Sequence, residues 1–375
     1  MPSDSVMDSL NLILVVGARP NFMKIAPLIK AIGAHNNQAK NAPPRVRFTL
    51  VHTGQHYDGQ MSDVFFRELG IPQPDINLGV GSGSHAAQTA GVMEGFEPVC
   101  QQVKPDWVVV VGDVNSTMAC TLVAAKLGIQ VAHVEAGLRS FDRTMPEEIN
   151  RVVTDAIADL LLTPSADADQ NLQREGVPAS RIRMVGNIMI DALLHHLEAA
   201  RSRMTHRHFG LEERRFAYVT LHRPSNVDGR ENLAAILHEL ERLSHKLPVL
   251  FPVHPRTRQR ILDFGLNPRL STAFQLIEPI GYLDSLCLTE RARLVLTDSG
   301  GLQEESTYFR TPCLTLRPNT ERPITIEVGS NRLTTPQRLA ADLDEVFAQP
   351  ERLGQRPPLW DGQTAQRVLG HLISG

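Results

Sequence analysis

Cysteine is scarce: Cys100, Cys120, Cys287 and Cys313 are the only four in 375 residues, far apart and without a CxxC pair. That spacing indicates neither a zinc site nor a disulfide framework, and three of the four sit in apolar surroundings typical of buried thiols. A large charge of either sign is missing too, with a formal net charge of -3 and a pI near 6.5. The balance argues against a general nucleic-acid or acidic-membrane binder, so a ligand anion must be met by local cations. No apolar run approaches the length of a membrane span. Met1-Pro2-Ser3-Asp4-Ser5 has neither a basic n-region nor an apolar h-region, and the expected location is the cytoplasm. The GxGxxG and GxxxxGK(S/T) fingerprints are absent, which removes the best support for a nicotinamide enzyme or a Walker-type kinase. HExxH is absent as well, and no bound metal is expected.

What the chain does contain is a regular alternation. Its 42% hydrophobic and 21% charged residues are ordinary for a globular enzyme, and its length suggests two domains. Short apolar runs at Leu12–Val16, Phe48–Val51, Trp107–Val111, Gln130–Val134 and Leu160–Leu162 are separated by helix-length segments. The first of these segments carries Ile25, Leu28, Ile29 and Ile32 on one face. A second series runs through Phe216–Thr220, Val249–Val253, Phe274–Ile277, Leu294–Leu296 and Cys313–Leu316. This rhythm predicts an α/β protein with two Rossmann-like, doubly wound domains facing each other across a deep cleft. The N-terminal domain is expected over 1–186 and the C-terminal domain over 187–363, with a final helix near 364–375 packing back on the first.

Ligands of open parallel sheets sit beyond the carboxyl ends of the strands, so the strand exits carry the candidate chemistry. After the first strand comes Gly17-Ala18-Arg19-Pro20-Asn21-Phe22-Met23-Lys24, which opens a helix. There Arg19 and Lys24 either meet a diphosphate or sugar hydroxyls or are surface charges of a helix start. Gly112-Asp113 follows the third strand, and Asp113 alone would read as a helix cap. His133-Val134-Glu135-Ala136-Gly137-Leu138-Arg139 and Met145-Pro146-Glu147-Glu148-Ile149-Asn150-Arg151 follow the fourth. Asp113, Glu135 and Glu147 together are better explained as a cluster of acids. In the second half, His222-Arg223 and His254 each follow a strand and are credible acid, base or anion-binding groups. Thr297-Asp298-Ser299-Gly300-Gly301-Leu302-Gln303-Glu304-Glu305 places Ser299, Gly300 and Gly301 at a helix start, where several N–H groups can meet one anion. Glu305 is positioned to accept from a ribose diol, and Arg317 and Arg322 add cations at the next exit. This second set fits a nucleoside diphosphate.

These ordered motifs, with Thr53-Gly54-Gln55-His56, Pro252-Val253-His254-Pro255 and Glu321-Arg322-Pro323, resemble the non-hydrolysing UDP-N-acetylglucosamine 2-epimerases along nearly the whole chain. The resemblance implies a GT-B-like fold and interconversion of UDP-GlcNAc and UDP-ManNAc. In that reaction UDP leaves by anti elimination to a 2-acetamidoglucal, and re-adds after reprotonation of C2 from the other face. No redox cofactor is needed, UDP-GlcNAc and UDP are the ligands, and a homodimer is implied. Carried over residue by residue, Asp113, Glu135 and Glu147 surround C1 and C2, with His222 near the diphosphate and glycosidic oxygen. Arg19 and Lys24 contact the sugar and phosphates, Ser299 and Gly300 with Gly301 the diphosphate, and Glu305 the ribose. His254 and Arg322 lie on the nucleotide side, and Arg151 and Arg223 complete the binding set. Pro224-Ser225-Asn226 stands where many members carry an acid. Gln55–Met61 and Gly81–His85 depart from the forms of members activated by a second UDP-GlcNAc.

Competing readings are a 2-epimerase of another UDP-sugar, such as a diacetamido uronic acid derivative, and a hydrolysing variant. A GT-B glycosyltransferase would have no obvious use for three acids at strand exits. A non-enzymatic UDP-sugar sensor would bind without turnover.

Overall fold

Runs that are apolar at every position are the mark of strands covered on both faces, and in the computed structural model they form the centres of two parallel sheets. Residues 9–38, 44–54, 71–349 and 352–375 are described; Gln55, His56 and the rest of the run to Met61 lie outside them. The chain divides into two units, one of residues up to Ala192 with Pro358–Gly375, the other Leu193–Pro357.

The first unit holds β1 (Ser9–Val16), β2 (Arg45–His52), β3 (Ile76–Asn77), β4 (Trp107–Val111), β5 (Gln130–Val134), β6 (Leu160–Thr163) and β7 (Ile182–Met184). Their order across the sheet is β3-β2-β1-β4-β5-β6-β7, with every pairing parallel. Ile13, Val15, Val108, Val110 and Val131 face the helices His85–Val103 and Asn115–Lys126. The C-terminal helix Thr364–Ser374 contacts the Arg19–Gln38 helix. Its first turn is held by the Asp191 carboxylate, which accepts from Thr364 N at 3.2 Å and Ala365 N at 2.8 Å.

The second unit repeats the order with β8 (Ala217–Thr220), β9 (Val249–Pro252), β10 (Phe274–Ile277), β11 (Leu294–Thr297), β12 (Cys313–Leu316) and β13 (Asn331–Thr334). They lie as β10-β9-β8-β11-β12-β13, again all parallel. Strand side chains alternate between two cores, as a period of two demands. Ala217, Val219, Phe251, Leu294 and Leu296 pack on one face, whereas Tyr218, Leu250 and Val295 pack on the other.

Three short edge strands, β3, β7 and β13, had no counterpart among the sequence candidates. Each is partly exposed and mixes polar with apolar residues, so none produces a continuous apolar run. All four cysteines are buried and free.

Candidate active site

In both sheets the strand order reverses direction beside the first strand, between β1 and β4 and between β8 and β11, and in open parallel sheets ligands sit at the carboxyl ends beside such a reversal. Lys24, Asp113 and Glu135 stand by the first of these points, and His222, Arg223 and Ser299 by the second.

In the first unit, Asn21 ties the two strand exits together. Its Oδ1 accepts from Gly17 N (3.2 Å) and Ala18 N (2.9 Å), while its Nδ2 donates to the Val111 carbonyl at 3.0 Å. Lys24, on the same helix, donates to the Glu135 carboxylate in a buried ion pair. Gly112, with φ +67, leaves room for this ammonium, since a Cβ there would stand 2.8 Å from Lys24 Nζ. Glu135 itself has φ +75, a conformation rare outside glycine. The strain is held by its own N–H and that of Ala136, both donating to the Leu162 carbonyl at 3.0 and 3.2 Å. Such strain gathers at functional positions, and here it turns the acid off the end of β5.

Asp113 pairs with Arg151, which is 2% exposed and spends its other donors on Glu148 at 2.6 and 3.2 Å. Arg151, expected among the substrate contacts, is thus turned inward as the partner of two acids. Burial would raise the Glu148 carboxyl, but hydrogen bonds from Ser140 and the Arg151 guanidinium hold it below its ordinary value. Asn150 donates to the Asp113 carbonyl at 2.9 Å. Glu147, in the first turn of the Pro146–Ile157 helix, is exposed, whereas its neighbour Glu148 is buried. The Arg19 side chain lies outside what the structure describes.

Beneath these acids runs a buried network that ties His133 and Arg139 of the His133–Arg139 run to Asp155, a residue outside every motif of the sequence. His133 Nδ1 lies 2.6 Å from Asp155 Oδ1, and its Nε2 lies 2.8 Å from the Gly112 carbonyl. Both ring nitrogens are thus engaged, one by a carboxylate and the other by a backbone carbonyl. Asp155 also accepts from Gly137 N at 3.0 Å and Arg139 Nη1 at 2.7 Å. Burial would raise the Asp155 carboxyl, yet His133 and Arg139 hold it below the usual range. The network joins the Gly112-Asp113 exit to the Glu135–Arg139 exit.

In the second unit, His222 follows β8 and is half-exposed, its Nδ1 2.8 Å from the fully buried Asp298. Arg223 donates through Nε to the Asp298 carbonyl at 3.1 Å. The His254 ring lies 5.9 Å from that of His222, and its Nδ1 accepts from Arg256 N at 3.2 Å, capping the Pro255–Asp263 helix. Burial and the neighbouring His222 lower the His254 pKa. Both rings line an open cavity of ≈ 170 Å³ together with Tyr218, Pro252, Pro279 and Ile280.

Ser299, Gly300 and Gly301 stand at the start of the Gly300–Phe309 helix, whose first N–H groups are the natural seat of an anion. Arg322 lies over this turn: a Cβ on Gly300 would come within 2.9 Å of its Nη1. The same guanidinium contacts Glu304 at 2.8 Å and Glu321 at 2.5 Å. Glu305 is buried, and desolvation with the adjacent Glu304 carboxylate pushes it up to about 8, against the pull of the Tyr282 hydroxyl. Among the described residues no group of three or more His, Cys, Asp and Glu side chains could hold a metal ion.

Two Rossmann-ordered parallel sheets in one chain, one exit lined with paired acids and the other with a Ser-Gly-Gly helix start, define an α/β enzyme of GT-B-like build. The model of the UDP-N-acetylglucosamine 2-epimerase family matches residues 38–373. The UDP-N-acetylglucosamine 2-epimerase of Methanocaldococcus jannaschii is 40% identical over 375 residues, covering 98% of this chain and 100% of the relative. The UDP-2,3-diacetamido-2,3-dideoxy-D-glucuronate 2-epimerase of Pseudomonas aeruginosa is 40% identical over 333 residues, 88% of this chain and 89% of the relative. Among solved structures, the Methanocaldococcus jannaschii enzyme in complex with UDP-GlcNAc and UDP superposes with a TM-score of 0.85, covering 98% of this chain and 100% of that one. The Neisseria meningitidis enzyme bound to UDP-GlcNAc gives 0.86 at 27% identity, with the same coverage. The chain belongs to the UDP-N-acetylglucosamine 2-epimerase family.

Proposed function

We propose that this protein interconverts UDP-GlcNAc and UDP-ManNAc. The observation that carries the reading is the pair of acids at one sheet's switch point, Glu135 held by Lys24 and Asp113 held by Arg151, in a chain 40% identical to such an enzyme over its length. The C2 proton is not next to a carbonyl, so departure of the anomeric diphosphate must lead and positive charge at C1 must be met by carboxylates. Charges fixed beforehand by buried partners do this without reorganising during the reaction.

In this reading Asp113, Glu135 and Glu147 act around C1 and C2. One carboxylate takes the C2 proton as the C1–O bond breaks, its electrons leave with UDP, and the C1–C2 double bond forms. A second acid returns a proton to the opposite face of C2 while a UDP oxygen re-forms the bond to C1. Both acids regain their starting state by proton exchange with water. His222 meets the diphosphate, and Ser299, Gly300 and Gly301 receive its charge at their helix start. Arg19, Lys24 and Arg223 neutralise the sugar-diphosphate, Glu305 takes the ribose, and His254 and Arg322 the nucleotide. Arg151 acts through Asp113. A cytoplasmic homodimer completes the proposal, on the strength of the family resemblance; light scattering of the purified protein tests the dimer.

Incubation with UDP-GlcNAc in D2O, followed at C1 and C2 by NMR, tests the reaction. UDP-ManNAc carrying deuterium at C2 is the expected product. Free UDP with ManNAc would make the protein a hydrolase. The Pseudomonas aeruginosa relative supports a second reading: no turnover of UDP-GlcNAc, but epimerisation of the UDP-diacetamido uronic acid, would replace the first.

A further inference from the structure

Asp298 is placed to do more than end a strand. It is fully buried, yet it faces the half-exposed imidazole of His222. Its Oδ2 is surrounded by three donors, His222 N at 3.0 Å, Arg223 N at 2.9 Å and the Asn226 Nδ2 at 3.0 Å. Asn226 is fixed in turn by a second bond, from the same Nδ2 to the Leu316 carbonyl at 2.9 Å. Oδ1 faces His222 Nδ1 at 2.8 Å, and accepts a longer bond of 3.2 Å from the His222 backbone N–H. Burial would raise this carboxyl, but the imidazole and the donors around it hold it below its ordinary value. An ionised carboxylate only accepts, so Nδ1 must carry the hydrogen.

We propose that Asp298 is the positioning residue of His222, locking its proton on Nδ1 and leaving Nε2 as the one atom that exchanges a proton or hydrogen bond with the substrate diphosphate. The lock rests on the geometry above, and its catalytic use rests on the epimerase reading. A buried carboxylate that sets ring orientation and tautomer is the means by which other enzymes make one imidazole nitrogen available. The two histidines of the cavity then differ by design. His254 accepts a backbone N–H at Nδ1 and so carries its hydrogen on Nε2, opposite to His222.

Asp298→Asn tests this with nearly unchanged shape. The three donors around Oδ2 select the amide oxygen for that place, which turns the NH2 toward His222 Nδ1 and forces the hydrogen onto Nε2. Nitrogen-15 NMR of histidine-labelled protein, with His222→Gln to assign the signal, reads the tautomer directly. The expected result is Nδ1–H in the neutral ring of the wild type and Nε2–H in Asp298→Asn. Turnover and C2 deuterium exchange should fall together by about 100-fold or more, while UDP affinity by calorimetry changes less than threefold. A wild-type ring with its hydrogen on Nε2 overturns the proposal, and decides the matter even if the variant fails to fold. A flipped tautomer with near-native turnover also overturns it. A wild type that shows the Nδ1–H tautomer but turns over no UDP-sugar leaves the lock standing and removes the epimerase reading instead.

Discussion

Lys24 and Glu135, 111 residues apart in the chain, meet as a buried ion pair beyond the ends of β1 and β5. Breaking a buried pair on one side strands the other charge, at a cost of about 3–5 kcal/mol. Lys24→Met should therefore lower stability by that order in a denaturant titration and abolish turnover. Glu135→Gln should lower turnover by orders of magnitude while UDP still binds. The double variant should regain most of the lost stability but none of the activity, which separates the structural part of the pair from the chemical part.

Asp113→Asn and Glu147→Gln should each lose orders of magnitude in turnover with UDP binding retained. For Glu147 the comparison is especially clean, because its exposure predicts a stability change within about 0.5 kcal/mol. Near-native turnover by Asp113→Asn, Glu135→Gln and Glu147→Gln together would sink the mechanism.

Glu305 should leave a signature in stability against pH. Its carboxyl is raised to about 8 in the folded protein from an ordinary 4.5, so the folded state holds a proton that the unfolded chain releases. Stability from this group is complete below about pH 4.5, declines as pH rises through that window, and stops declining above about pH 8. Each unit of displacement is worth ~1.4 kcal/mol. Thermal melts of Glu305→Gln should gain on the wild type steadily between pH 5 and 8. A difference independent of pH would show that Glu305 is already ionised.

Gly137→Ala should be severe. With φ +80 the position is strained for any L side chain, and a Cβ would lie 2.5 Å from the Ala168 carbonyl oxygen, a backbone atom that cannot turn aside. The Gly137 N–H also donates to Asp155, so a shift of this loop disturbs the network below the acids. A loss of about 2–4 kcal/mol is expected by chemical denaturation, from strain and overpacking together.

Much of the fold was legible because central parallel strands are covered on both faces. Trp107–Val111 and Val249–Pro252 are buried at every position, and so appear as unbroken apolar runs. The edge strand Asn331–Thr334 mixes polar with apolar residues and is only partly buried at its centre, so no apolar run marks it. The candidate site was legible where a motif follows such a run directly, as at Gly112-Asp113 and at Asp298 to Glu305. It was not legible where two like residues stand side by side. Glu147 and Glu148 are the same in sequence, and only the rotation of about 100° per helical residue sends one to solvent and the other to Arg151. Nor could the sequence show that Arg151 is buried between Glu148 and Asp113, which lies 38 residues away in the chain.

The order of apolar runs and helical segments determined by itself that two parallel sheets would form and which residues would stand at their exits, since periodicity and strand length are local properties of the chain. Only the tertiary structure decided which charges meet: Lys24 with Glu135, Arg151 with Asp113, and Asp298 with His222. Ion pairing depends on distance and on exclusion of water, and neither exists until segments from distant parts of the chain are packed together.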